Sequence, residues 1–270
     1  MESTHTPENW NAAAADYDET VTRFTTLYAD DLLDRLEPSS RCETIELAAG
    51  PGNVTVRLAS RCRRVLATDY SSGMIDRLRM RLEKEHVTNV ECAVMDGTDL
   101  DVEDASFDRA VSNFGVMLFA DRAAGFSEMY RALKPGGRVA VSGWSGPEKF
   151  EPFGLFGQAV QRALPNLPKP DAPPPIFSLA DTSRFAAELK AAGFTDVRVD
   201  CVTHIMEQPS KEAFWDLMRN GAPPGKVLFS RIGEDQARAV RDALFAILDE
   251  RFGSGPLRLS AEATIGYGRR

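Results

Sequence analysis

ETIELAAGPGNVTVRLAS, residues 43–60, joins a short apolar run to a helical pattern through the turn Gly50-Pro51-Gly52. Glycine adopts backbone conformations that other residues avoid, and it lets a ligand come close to the main chain. The stretch therefore predicts a strand, a tight loop and a helix that opens at Gly52. The bare backbone of the loop makes it a candidate ligand site.

Strand-like and helical runs alternate after this stretch as far as Trp144. Strand patterns cover 64–69, 89–96, 107–116 and 138–144, and helical patterns occupy 72–85 and 122–137. Regular alternation of this kind predicts right-handed βαβ units and a parallel sheet with helices on both faces. Ligands of such sheets bind at the carboxyl ends of the strands, so the residues that follow each strand are the candidate site.

The pattern is looser beyond Trp144. A helix is expected over 147–164, a stiff extended loop over 164–177, which holds six of the sixteen prolines, and a helix over 181–194. A strand at 196–206, a helical stretch from about 211 to 252 and a strand at 262–270 complete the chain.

Composition excludes several functional classes. The formal charge of -8 and the pI near 5.1 argue against a nucleic-acid groove or an anionic membrane surface. The four cysteines are scattered without a Cys-x-x-Cys pair, which predicts reduced core thiols and no metal site. No run approaches eighteen apolar residues, so we expect no membrane span and a soluble cytoplasmic protein, either a monomer or a homodimer.

The loop itself leaves two cofactor classes open. In the dinucleotide fingerprint G-x-G-x-x-G a third glycine would stand at position 55, where this chain has Thr55. Asp69 ends the second predicted strand nineteen residues after Gly50, and a carboxylate there suits the ribose of a nicotinamide dinucleotide or of S-adenosylmethionine.

Five motifs in order resemble those of class I S-adenosylmethionine-dependent methyltransferases, especially the ubiquinone/menaquinone C-methyltransferase group. They are IELAAGPGN, ATDYSSGMI, VMDGTDL, FDRAVSNFGV and EMYRALKPGGRVAVSGW. The resemblance covers residues 10–145 and, more loosely, 181–207 and the tail. It implies an α/β fold, a Rossmann-like doubly wound seven-stranded sheet with the last strand antiparallel and with helical lid insertions.

The same resemblance implies a division of the chain into a core and lid segments. The core comprises a cofactor-binding part at 31–145, a helix and strand at 181–207, and a terminal strand at 257–270. The lid segments are an N-terminal helical lid at 1–30 and insertions at 146–180 and 208–256.

The resemblance also implies a set of cofactor contacts. Asp69 would bind the ribose, Asp96 the adenine amine, and Tyr17 would cap the cofactor, while Glu46 would orient the loop or meet the amino group through water. Ala48 stands where the family has glycine, which the loop tolerates if its φ is negative. The full expected set is Tyr17, Glu46, Ala48, Gly50, Gly52, Asp69, Tyr70, Met74, Asp96, Gly97, Asn113 and Phe114.

The acceptor is expected to be a small, largely apolar or aromatic metabolite. No residue is a compelling general base, and His204 on the sixth predicted strand is only a weak candidate, so we expect catalysis by proximity and orientation. The aromatic groups Phe153/Phe156 and Phe214/Trp215/Met218 are more typical of lid cores than of a substrate pocket. Two alternatives stay open: a noncatalytic S-adenosylmethionine-binding protein and an NAD(P)-dependent oxidoreductase.

Overall fold

A single seven-stranded sheet organises the part of the chain that the computed structural model describes, residues 6–168, 173–221, 228–253 and 255–270. The strand order is β3-β2-β1-β4-β5-β7-β6, and β7 runs antiparallel to both of its neighbours, which confirms the predicted fold. The strands are β1 (Glu43–Leu47), β2 (Arg64–Asp69), β3 (Val90–Val94), β4 (Phe107–Asn113), β5 (Leu133–Trp144), β6 (Thr195–Gln208) and β7 (Leu257–Arg269).

Helices cover both faces of this sheet. One buried cluster joins α3, α4 and α5 to one face, and a larger cluster joins α6, α7, α8 and α10 to the other. The helices are α1 (Pro7–Thr20), α2 (Thr22–Thr25), α3 (Ala29–Leu36), α4 (Asn53–Ala59), α5 (Ser72–Lys84), α6 (Arg122–Ala132), α7 (Glu151–Ala163), α8 (Thr182–Ala191), α9 (Lys211–Asp216) and α10 (Glu234–Phe252).

The helical stretch predicted from about 211 to 252 is not continuous. Helix α9 ends at Asp216, a π-helical segment follows at Leu217–Gly221, and α10 begins only at Glu234. Residues 222–227 of the predicted stretch, like residues 169–172 of the predicted proline-rich loop, lie outside the described residues.

Two further expectations need correction. The helix predicted over 122–137 ends at Ala132, because the chain enters β5 at Leu133 before the Pro135-Gly136-Gly137 turn. Cys201 is exposed rather than a core thiol, since β6 is the last strand at one edge of the sheet. Of the helices that the structure describes, none has the length and apolar character needed to cross a bilayer.

Candidate functional site

A cavity of about 370 Å³ opens where β1, β2 and β4 end. Cavities of this size commonly hold small molecules. The structure brings ten of the twelve expected residues to its wall: Tyr17, Ala48, Gly50, Asp69, Tyr70, Met74, Asp96, Gly97, Asn113 and Phe114. The carboxyl ends of the strands thus form a common site, as parallel topology requires.

The loop after β1 turns sharply through three residues with positive φ. Gly50 and Gly52 have φ of 57° and 92°, and Ala48 has φ of 51°, so the condition of a negative φ under which the loop would tolerate Ala48 is not met. The loop must turn there to lead β1 into α4, and the space for the alanine methyl comes from Gly115. A Cβ on Gly115 would lie 2.4 Å from the Cβ of Ala48.

Glu46 and Gly52 do not reach the cavity wall. Gly52 instead packs against α5, where an added Cβ would lie 2.1 Å from Cδ1 of Leu78. Glu46 is 1% exposed, and its Oε2 accepts a hydrogen bond from Thr55 Oγ1 at 2.7 Å. Both residues therefore hold the loop and the start of α4 in place from beneath.

Burial raises the pKa of Glu46 to about 8, and the nearby Asp69 carboxylate adds to the rise, while the hydrogen bond from Thr55 opposes it. A folded pKa above the unfolded value means stability that is full below about pH 4.5 and is lost as pH rises through 8. We expect Glu46→Gln to remove this loss. The free energy of unfolding of the variant, relative to that of the wild type, should therefore be at least about 1 kcal/mol higher at pH 9 than at pH 5.

Urea unfolding at pH 5, 7 and 9 measures the effect of the Glu46 substitution. Glu91→Gln, at an exposed carboxylate on β3, is the control and should leave the pH profile unchanged. Parallel profiles for the wild type and Glu46→Gln would show that Glu46 does not hold its proton in the folded protein.

Asp69 is positioned by two backbone amides. Its Oδ2 accepts from the Gly50 N–H and its Oδ1 from the Ser71 N–H, both at 2.9 Å. Burial raises its pKa to about 6 in spite of these two hydrogen bonds. Each carboxylate oxygen has a second lone pair, so the side chain can still accept hydrogen bonds from a ligand in the cavity.

Asp96 and Gly97 form the wall beyond β3. Asp96 Oδ1 accepts from both the N–H and the hydroxyl of Thr98 at 2.8 Å, which fixes the carboxylate. Gly97 is packed so tightly that an added Cβ would lie 2.6 Å from Cζ of Phe119. A flat group would therefore contact backbone at Gly97 and a fixed carboxylate at Asp96.

Asn113 is locked by its own hydrogen bonds at the end of β4. Its Oδ1 accepts from Ser142 Oγ at 2.7 Å, and its Nδ2 donates to the carbonyl of Thr25 at 3.2 Å. The next residue, Phe114, has φ of 57° and donates its N–H to Ser142 Oγ at 3.0 Å. This network holds the Phe114 ring at the cavity against the N-terminal segment.

Helix α1 covers the cavity with Trp10 and Tyr17. Their rings meet edge to face with centroids 5.4 Å apart. Asn11 Oδ1 accepts from the Gly73 N–H at 2.9 Å, which docks α1 on the first turn of α5. Sequence reasoning missed Trp10, although its position seven residues before Tyr17 places both on one helix face. It also missed Pro7, Met95, Thr98, Gly115, Leu118, Phe119, Ala120 and Asp121 of the wall.

A second, smaller chamber of about 100 Å³ adjoins the first. The two share the side chains of Trp10, Tyr17, Phe114 and Leu118 as walls. The rest of the chamber is almost wholly apolar, with walls from Val21, Phe24, Thr25, Met117, Trp144, Phe150, Pro152, Phe153, Phe156, Ile176, Met206, Leu217 and Met218.

The assignment of the lid aromatics is partly wrong. Phe153, Phe156 and Met218 line this chamber, whereas Phe214 and Trp215 are buried away from it. One face of α7 therefore serves as both lid core and chamber wall. His204 lines neither cavity; its Nε2 lies 2.7 Å from Oδ2 of Asp31.

Comparison with known proteins decides between the two cofactor classes. A family model described as a methyltransferase domain matches residues 45–141. The demethylmenaquinone methyltransferase of Corynebacterium kroppenstedtii is 31% identical over 201 residues, which span 70% of this chain and 85% of that relative. The chain belongs to the class I S-adenosylmethionine-dependent methyltransferases. This membership decides against the oxidoreductase and the noncatalytic alternatives.

Solved structures show the same fold as this methyltransferase. The YcgJ protein of Bacillus subtilis superposes with a TM-score of 0.60 at 15% identity, covering 90% of this chain and 97% of that one. Phosphoethanolamine N-methyltransferase 2 of Haemonchus contortus, solved in complex with S-adenosylmethionine, gives 0.56 at 17% identity, covering 99% and 58%. S-adenosylmethionine is the cofactor of the methyltransferase described here, and its acceptor is a small molecule.

Proposed function

We propose that this methyltransferase transfers the methyl group to a small, largely apolar aromatic acceptor held in the second chamber. The observation that carries the proposal is the common wall of the two cavities, which would place such an acceptor directly beside the cofactor. The predicted lid segments 1–30, 146–180 and 208–256 each supply chamber residues, for example Phe24, Phe153 and Met218. We infer that these segments form the acceptor site over the α/β core.

The cavity residues fit S-adenosylmethionine by their chemistry. Asp69 would accept hydrogen bonds from the ribose, Asp96 and Gly97 would hold the adenine, and the backbone at Ala48 and Gly50 would face the methionine moiety. Asn113 and Phe114 would meet the methionine end, and the Tyr17 ring would lie near the sulfonium, where cation–π attraction favours an aromatic face. The cofactor supplies an electrophilic methyl group on this sulfonium.

The chain's own part in the reaction would be positioning and exclusion of water. Tyr17 is the one titratable side chain among the described residues of the chamber wall. Burial raises its pKa to about 12, with a smaller rise from Asp69 and a hydrogen bond from Thr25 opposing both, so the neutral phenol is a poor base at pH 7. Holding the acceptor in line with the departing sulfur is then the main contribution to rate.

The relatives suggest the first acceptor to test. Because the Corynebacterium relative is named a demethylmenaquinone methyltransferase, we propose a reduced quinone of that type as the acceptor. Incubation with methyl-labelled S-adenosylmethionine and reduced demethylmenaquinone should give a labelled product by mass spectrometry. Asp69→Asn serves as the low-activity control.

Transfer to polar or charged metabolites only, with no apolar aromatic acceptor methylated, would contradict the proposed acceptor class. A pH–rate profile governed by one side chain, and abolished by substituting it, would contradict catalysis by positioning. The cytoplasmic location and the monomeric or homodimeric state expected from the sequence stay predictions.

A further inference from the structure

One side of β7 is open where β5 ends. Trp144, the last residue of β5, pairs with Ala263, so residues 257–262 of β7 have β6 as their only neighbour among the described strands. Buried backbone groups on the open side need other partners, because an unpaired one destabilises the fold. The segment that leads from β5 to α7 takes up this side, beginning with the N–H of Ser145, which donates to the carbonyl of Glu262 at 3.0 Å.

Glu151, the first residue of α7, continues these contacts with β7. The residue before it, Phe150, forms an antiparallel bridge with Ala261. Oε2 of Glu151 then accepts from the N–H of Ser260 at 2.6 Å and from Ser260 Oγ at 3.2 Å. The carboxylate thus takes the place that a carbonyl of a neighbouring strand would otherwise occupy.

The same carboxylate reaches a second helix. Its Oε1 pairs with the guanidinium of Arg251 near the end of α10, and the Glu151 side chain is 13% exposed. Glu151 therefore links α7 both to β7 of the core and to α10. The helices are also joined by an ion pair between Arg162 and Glu250, which is well exposed and does not involve β7.

The sequence neighbours of Glu151 form part of the second chamber. Phe150, Pro152 and Phe153 all line it. The helix begins at Glu151 without a side-chain cap from Phe150, so the contacts of the carboxylate fasten its first turn. Because lining residues flank Glu151 on both sides, any shift of its backbone changes the chamber wall.

We propose that Glu151 is a positioning residue for the methyl acceptor, because its contacts with Ser260 and Arg251 hold Phe150 and Phe153 in the chamber wall. The inference rests on the proposed function, since it takes the second chamber as the acceptor site. Glu151 lines neither cavity, so it acts through its neighbours. The alternative is that an acidic residue in the first turn only stabilises α7 through the helix dipole, and acceptor affinity then does not depend on it.

Binding of an apolar aromatic probe tests this role without methyl transfer. The dissociation constant of 2-naphthol is measured by calorimetry with S-adenosylhomocysteine filling the cofactor cavity, at a temperature where each variant is folded. Glu151→Met should weaken 2-naphthol binding about tenfold, because binding must then order two rings that the wild type holds in place. The affinity for S-adenosylhomocysteine should be unchanged, since Glu151 lies outside the cofactor cavity.

Two further variants complete the design. Glu151→Gln keeps an acceptor oxygen for Ser260, so its affinity for 2-naphthol should lie closer to that of the wild type than to that of Glu151→Met. Glu250→Gln breaks the exposed ion pair between the same two helices and should change neither affinity. Equal 2-naphthol affinity in the wild type and Glu151→Met would overturn the proposal. A parallel loss of 2-naphthol and S-adenosylhomocysteine affinity would overturn it too, because that loss indicates a general structural role.

The outcomes separate the inference from the proposed function. Failure of 2-naphthol to bind the wild type while S-adenosylhomocysteine binds would reject the chamber as the acceptor site, and the role of Glu151 with it. Binding that is the same in all Glu151 variants rejects the role of Glu151 alone. Failure to methylate reduced demethylmenaquinone, with 2-naphthol binding that depends on Glu151, rejects that acceptor and supports the inference.

Discussion

Replacing Asp69 with asparagine should weaken S-adenosylmethionine binding about 10- to 100-fold. The carboxylate accepts from Gly50 and Ser71 and offers its remaining lone pairs to the cavity, and one charge-assisted hydrogen bond contributes about 1.5–3 kcal/mol. Asparagine keeps one acceptor oxygen, but its own N–H group would point at the second of these two backbone N–H donors. Titration calorimetry with the purified variant measures the loss.

The pH dependence of cofactor binding provides a second test of the role of Asp69. Because burial raises the pKa of Asp69 to about 6, cofactor affinity should fall as the pH drops below about 6, and Asp69→Asn should abolish that fall. The effect of Asp69 on stability has the opposite sign: its contribution is full below about pH 3.8 and is lost as pH rises through 6.

Asp108 offers a matched control at the other end of the sheet. It too accepts a hydrogen bond from a backbone amide, that of Glu43 at 2.8 Å, but it lines neither cavity. Asp108→Asn should leave cofactor affinity unchanged. Unchanged affinity in Asp69→Asn as well would remove Asp69 from the binding site.

Alanine substitutions at the two glycines of the loop should have different effects: Gly52→Ala should mainly lower stability, and Gly50→Ala should mainly lower cofactor affinity. Gly52→Ala should lower the free energy of unfolding by about 2–5 kcal/mol, because it adds strain at φ of 92° to an overlap with the fully buried Leu78. Gly50→Ala has open space around its new methyl and should cost only about 1 kcal/mol. Gly50 lines the cavity, however, so we expect the added methyl to lower cofactor affinity roughly tenfold, by about the free energy of one lost contact.

Urea unfolding and calorimetry on the same two proteins test this pattern. Leu78→Ala in the Gly52→Ala background should recover part of the lost stability, which a double-mutant cycle would show as a favourable coupling. The explanation fails if Gly50→Ala is the less stable variant, or if Gly52→Ala binds the cofactor worse while remaining fully folded.

The sequence was sufficient to predict the sheet and most of the expected residues that line the first cavity. Strand runs such as 64–69 are short, apolar and bounded by turn residues, and parallel topology brings their ends together. Asp69 and Asp96 therefore lie on one cavity although 27 residues separate them in sequence. At these positions the local sequence pattern and the global fold agree, and such agreement allows the structure to be predicted from the sequence.

Features that depend on a distant neighbour could not be predicted. The φ of Ala48 depends on the space left by Gly115, which the chain reaches only after β4. Phe153 and Phe156 have the helical spacing of core residues, and nothing local distinguishes a core from the wall of a chamber.

Helix α1 is fastened mainly by polar groups, and this has a consequence for turnover. Ala14 is its one buried residue, while Asp18 pairs with Arg81 at 2.7 Å and with Arg77 at 3.5 Å. Any movement that lifts this helix removes Trp10 and Tyr17 from both cavities together. With cofactor and acceptor in the two cavities as proposed, we expect spent cofactor and methylated product to leave by one shared step. Added salt, which weakens contacts between partly exposed charges, should make that step easier.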